Sequence, residues 1–156
     1  MIQRIQTLHL LLATVLMSLT LFLPLATIWH GSEELTIKAF GISGTFGVDM
    51  PLPLYLGMVL SVATLLPFIA IFLFKRRLAQ IRLCVSSIVL LLGSAGFIAL
   101  YCYRVCSLLQ EIVTDDMNFT LGFASLMPVV SIIPVALAIR GIAKDEALVR
   151  SLDRIR

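Results

Sequence analysis

The stretch Lys75-Arg76-Arg77-Leu78-Ala79-Gln80-Ile81-Arg82 sets four positive charges between two long apolar runs. Leu54 to Phe74 precedes it and Leu83 to Tyr103 follows it, and neither run contains an Asp, Glu, Lys or Arg. At about 1.5 Å of rise per residue, a helix of that length reaches roughly 30 Å, the thickness of a bilayer's hydrocarbon core. The basic stretch therefore reads as a turn between two membrane spans. Two more charge-free windows, Leu8 to Ile28 and Phe119 to Ile139, bring the expected number of transmembrane helices to four.

Composition agrees with this reading. Of 156 residues, 60% are hydrophobic and only 13% charged, which lies outside the range of soluble domains. A formal charge of +3 is too small to indicate a nucleic-acid binder. The placement of the charges is more informative than their sum. Arg4, then Lys75, Arg76, Arg77 and Arg82, then Arg140, Lys144, Arg150, Arg154 and Arg156 put ten of the 12 positive residues on one side of the spans. The other side holds Lys38 and Arg104 among Glu33, Glu34, Asp49, Glu111, Asp115 and Asp116. The positive-inside rule then predicts cytoplasmic termini and a cytoplasmic turn at 75–82. The expected organisation is a four-helix membrane domain over 1–139, with outer loops 29–53 and 104–118, and a basic amphipathic tail over 140–156.

The first apolar run is too long for the core of a cleaved signal peptide, about 7 to 15 residues, and reads as a retained helix with Pro24 in its last turn. In the first outer loop, Leu35 to Phe40 and Thr45 to Val48 flank a Gly41-Ile42-Ser43-Gly44 turn and predict a β-hairpin. The expected fold class is an all-α membrane protein, a four-transmembrane-helix bundle with a small extracytoplasmic hairpin. Leu35, Ile37, Phe40 and Phe46 are the candidate outer edge for a partner. Gly57 and Ser61 are spaced for close helix approach, and Gly93 to Gly96 predict a tightly packed third helix. Asp115-Asp116 is placed to cap the fourth helix. Pro67 frees the carbonyl near Ala63 and predicts a bend in the second helix. Pro128 and Pro134 make the fourth helix irregular, so that it should be covered there by neighbouring helices.

Catalytic chemistry finds little to work with. Cys102 and Cys106 share a helix face, but helical spacing keeps their Cβ atoms beyond the roughly 3.8 Å that a disulfide needs. Cys84 reads as packing. His9 and His30 each lack the companions that a metal or haem site requires. No charge interrupts the four windows, which disfavours proton-coupled transport and voltage sensing. Ser18, Thr20, Ser61, Thr64, Ser87 and Ser131 are the residues that could line an oligomeric channel, although such hydroxyls more often bond to their own backbone. No catalytic residue, cofactor or metal site is expected.

The basic side offers a contact surface. Arg4, Lys75, Arg76, Arg77, Arg82, Arg140, Lys144, Arg150 and Arg154 are candidates to meet anionic lipid, at about 1 kcal/mol per Lys or Arg near the surface, or an acidic partner. No aromatic is interleaved with them, so stacking on RNA has no support and no specific nucleic acid is expected. In the tail, Ile142, Leu148, Val149, Leu152 and Ile155 form an apolar arc that Asp145 interrupts.

The opening Met1-Ile2-Gln3-Arg4-Ile5-Gln6-Thr7 and the tail from Ala143-Lys144-Asp145-Glu146 through Leu148-Val149-Arg150-Ser151-Leu152-Asp153-Arg154 resemble an uncharacterised family of four-helix inner-membrane proteins of Bacteroidota. The resemblance covers the whole chain and implies a bacterial inner membrane facing a periplasm, without implying an activity. In plan alone the chain looks like a claudin, but its first outer loop has no cysteine. The expected role is an accessory or scaffolding subunit of a membrane protein complex, with a membrane-protein partner or a second copy of itself. The alternative is a small membrane enzyme or carrier for lipid or quinone.

Overall fold

A computed structural model describes residues 2–31, 33–44, 53–74, 76–112 and 117–153. The chain order is α1 Ile2–Phe22, β1 Ala26–His30, β2 Glu33–Ile37, β3 Ile42–Gly44, α2 Leu54–Phe72, α3 Arg77–Ile112, β4 Asn118–Leu121, a 3-10 turn Phe123–Leu126, and α4 Met127–Asp153. Four helices are thus long and apolar enough to cross a membrane. They form a ring in which α1 packs on α2 and α4, and α3 on the same two, so that chain neighbours run antiparallel.

The inward residues recur at alternating steps of three and four. On α1 they are Gln6, Leu10, Ala13, Met17 and Thr20; on α2 they are Leu56, Leu60, Ala63, Pro67 and Ala70. On α3 the buried line runs Gln80, Cys84, Ser87, Leu91, Ser94, Ile98 and Cys102. This near-heptad spacing gives the seam of a left-handed bundle. Small side chains within it let the helices approach closely. The outward face of α3 carries Val85, Val89, Leu92, Phe97 and Leu100, all exposed, and is more apolar than the buried seam.

Gly93 and Gly96 lie on that outward face with nothing near them, so the packing of α3 rests on Ser94 and Leu91 rather than on its glycines. Gly57 does serve close approach, but to a different partner. A Cβ there would meet the Phe40 ring at 2.3 Å, so it admits the loop after β2 instead of a neighbouring helix. Pro67, Pro128 and Pro134 are all buried, as irregular positions in apolar surroundings require.

A four-stranded antiparallel sheet, ordered β3-β2-β1-β4, takes the place of the expected two-stranded hairpin. β2 falls on the first predicted strand, but its partner β3 lies within Gly41 to Gly44, the stretch expected as the turn, with Ile42 opposite Ile37 and Gly44 opposite Leu35. The chain reverses earlier, where Lys38 N–H donates to Gly41 O at 2.9 Å. Thr45 to Val48 lie outside the described residues. Both additional strands come from stretches that hydropathy assigns to helices. α1 stops at Phe22 instead of continuing to Ile28, because Pro24 has no N–H to donate and disfavours helix in the residue before it. Ala26-Thr27-Ile28-Trp29-His30, rich in β-branched and aromatic residues, then pairs with β2 around Gly31, whose φ of 60° is open to glycine at little cost.

At the other break, Asn118 to Leu121 pairs with β1, and the fourth helix begins only at Met127. Asp115 and Asp116 lie outside the described residues, and a strand, not a helix, follows them. Gly122 closes this crossing by donating its N–H to Leu25 O at 2.9 Å. A Cβ on Gly122 would stand 2.2 Å from Pro24 O, so no other residue fits without moving backbone.

The sheet covers the bundle end at which α1 and α3 finish. Ala26, Ile28, Leu35 and Ile37 share its inner face and are fully or almost fully buried. Each large side chain among them contributes about 1.5–3 kcal/mol. At about 1.5 Å per residue, the 36 residues of α3 extend roughly 54 Å, well past a hydrocarbon core. The basic turn supplies its first residues. The tail in turn continues α4 without a break as far as Asp153.

Candidate functional sites

At the end remote from the sheet, the helix pattern brings together the start of α1, the end of α2, the start of α3 and the second half of α4. Gln6 Nε2 donates to Asp145 Oδ2 at 2.6 Å, tying α1 to α4. Gln80 Nε2, buried, donates to Ala70 O at 3.0 Å and satisfies a carbonyl in the last turn of α2. Arg77 approaches Glu146 at 3.9 Å and reaches the Asp145 carbonyl at 3.4 Å. The void among these groups is about 10 Å³, the size of a single water and too small for a ligand.

The candidate basic surface is therefore divided. Arg76, Arg82, Arg140 and Lys144 are exposed. Arg77 turns inward, half-buried against α4. Lys75 and Arg154 lie outside the described residues, as do the side chains of Arg4 and Arg150. Sequence reasoning did not select Gln6, Gln80 or Asp145 as a group. Its one available signal was Asp145 standing inside the apolar arc of the tail. Ile142 on that arc is buried, while Leu148 and Val149 beyond it are exposed.

At the sheet end the candidate partner edge is rearranged. Leu35 and Ile37 are 2% and 0% exposed, and β2 is an inner strand, so neither can meet a partner. Phe40 is about half exposed but leans on Gly57. Phe46 lies outside the described residues. The edges of the sheet are β3 and β4. Because Gly122 N–H faces β1, alternation turns the N–H of Phe119 and Leu121 away from β1, toward a side on which no strand pairs among the described residues. Their side chains continue the row of Ile28 and Ala26, which sit directly opposite them. Yet Phe119 and Leu121 remain 41% and 59% exposed.

Within the helices, Cys84 and Cys102 are buried and Cys106 half-buried, all as free thiols. The His9 ring bonds through Nδ1 to Ile5 O at 2.7 Å on its own helix. Among the described residues, no three His, Cys, Asp or Glu side chains are grouped to hold a metal. All six candidate channel hydroxyls donate to carbonyls of their own helices: Ser18 to Val15, Thr20 to Leu16, Ser61 to Gly57, Thr64 to Leu60, Ser87 to Leu83 and Ser131 to Met127. An aqueous path would need some of them turned toward it.

A cleft of about 300 Å³ opens between α2 and α3 toward the sheet end. Tyr55 and Leu56 of α2 face Phe97, Leu100 and Tyr101 of α3, and among the described residues Arg104 is the one charged residue in the lining. Neither Cys102 nor His9 is among the described residues that line it.

These features define a class: a four-helix ring with spans compatible with a multi-pass membrane protein, capped at one end by a four-stranded sheet and fastened at the other by polar side chains. The chain belongs to the family described as Domain of unknown function (DUF4293), whose model matches residues 2–155. No curated protein matches the chain.

Proposed function

We propose that the protein is a multi-pass protein of a bacterial inner membrane, with its basic end and termini in the cytoplasm and its sheet on the periplasmic side, serving as an accessory or scaffolding subunit of a membrane protein complex. The inverted polarity of α3 supports the membrane reading, since a seam of Gln80, Ser87 and Ser94 under a surface of Leu, Val and Phe suits lipid as solvent. In water, so much contiguous apolar surface would drive aggregation. The distribution of Lys and Arg supports the orientation.

The observation that carries the subunit role is the β4 edge. Phe119 and Leu121 offer outward N–H groups and partly uncovered side chains on one strand, the combination that a partner's strand or apolar segment uses to extend a sheet. The test is purification of the tagged full chain from native membranes in mild detergent, beside a Phe119→Gln/Leu121→Gln variant. A stoichiometric membrane protein retained by the wild type and lost from a monodisperse variant is the expected result. Equal retention by both, or recovery of a lone chain from native membranes, overturns the subunit role.

A further inference from the structure

We propose that the α2–α3 cleft is a binding site for one acidic glycerophospholipid, with an acyl chain between the helices and the phosphate on Arg104. The proposal rests on the membrane reading above and adds a specific ligand to it.

The lining has the polarity of a lipid standing upright. Phe97 and Leu100 lie deeper along α3, Tyr101 follows, and Arg104 comes one turn further toward the sheet end. A volume of about 300 Å³ sits at the lower limit of pockets that hold small molecules, about 300–1,000 Å³, which suits part of a chain better than a whole lipid. Depth agrees with this placement. Arg104 is the first charge after the apolar run ending at Tyr103, and all 3 tyrosines of the chain, Tyr55, Tyr101 and Tyr103, lie at the same level. Tyrosine gathers at the headgroup boundary because its ring is apolar and its hydroxyl is not.

The charge is available as well. Arg104 is exposed, and among the described residues it makes no ion pair. A guanidinium offers phosphate a pair of parallel charge-assisted hydrogen bonds. Among the described residues the lining contains no carboxylate to receive a choline or ethanolamine ammonium, which favours a headgroup of net negative charge. No cysteine or histidine lines the cleft, so the role of the lipid is to be held, filling the space between α2 and α3.

The test is native mass spectrometry of the full chain in mild detergent, titrated with phosphatidylglycerol and with phosphatidylcholine of identical chains. One phosphatidylglycerol should bind about fivefold more tightly than phosphatidylcholine, the factor expected for one cation at a lipid surface. Arg104→Gln should remove that preference for one bound lipid, Arg104→Lys should keep most of it, and Leu100→Trp, which fills the cleft, should weaken both lipids. Equal retention of the two headgroups, or a preference unchanged by Arg104→Gln, overturns the site. Failure of the membrane reading would look different, since the chain would then be recovered in the aqueous fraction without detergent.

Discussion

At one end of the bundle, Ala26, Ile28, Leu35 and Ile37 are sealed beneath a ladder of backbone hydrogen bonds; at the other, Gln6, Arg77, Gln80 and Asp145 fasten four helix ends through side chains. A backbone ladder fixes positions to within a fraction of an ångström, because strand separation leaves no slack. Side-chain ties act one at a time and tolerate substitution singly. The sheet end should therefore fail abruptly when space is taken away, whereas the basic end should weaken in steps.

The largest effect is expected at Gly122. In Gly122→Ala the new methyl would meet Pro24 O at 2.2 Å, and neither backbone can move without parting β4 from β1. Destabilisation of about 3 kcal/mol is expected, read as a lower unfolding midpoint in detergent. Gly93→Ala is the matched control. Nothing lies within 4 Å of its Cβ position, and alanine is the better helix former by about 1 kcal/mol, so this variant should be neutral or more stable. Equal losses in the two variants would mean that the tight crossing at Gly122 is not what holds the sheet.

The same contrast governs what could be read from the residues. Helix number was legible because charge is excluded from a long run whatever lies beside it. Two helix ends were not, because Ala26 to Ile28 and Phe119 to Leu121 are as apolar as the spans they adjoin, and hydropathy absorbs both into windows. They also pair across some ninety positions of sequence, and pairing at that distance leaves no local pattern. Half of each misassigned stretch stabilises the other. The basic end was legible as a charge bias, but not as a structure. Gln6 and Gln80 are single uncharged residues at the margins of apolar runs, and only the packing of four helix ends reveals that they face inward.

An intermediate effect is expected at the Gln6–Asp145 pair. Asp145→Ala leaves the Gln6 amide, 7% exposed, without its 2.6 Å acceptor, at a cost of about 1–3 kcal/mol. Asp145→Asn keeps an acceptor in place and should lose less. A double-mutant cycle with Gln6→Ala should give a coupling energy that accounts for most of the single loss. Additive losses would show that the two residues act through separate contacts, and the picture of α1 tied to α4 would have to be given up.

The smallest effect is expected at Arg77, although among the described residues it carries the one full charge pair in that cluster. Its contact with Glu146 is long, 3.9 Å, and both side chains are partly open to solvent, at 29% and 23%. Such a pair contributes at most about 1 kcal/mol, and less as salt screens it. Arg77→Gln should therefore shift the unfolding midpoint slightly at low ionic strength and not at all at high. This ranks a buried neutral amide on a half-buried carboxylate above an ion pair, because desolvation, not formal charge, sets what is lost when a partner is removed. If Arg77→Gln cost as much as Asp145→Ala at every salt concentration, the cluster would be one cooperative network. The basic end would then fail as abruptly as the sheet end, and the contrast between them would disappear.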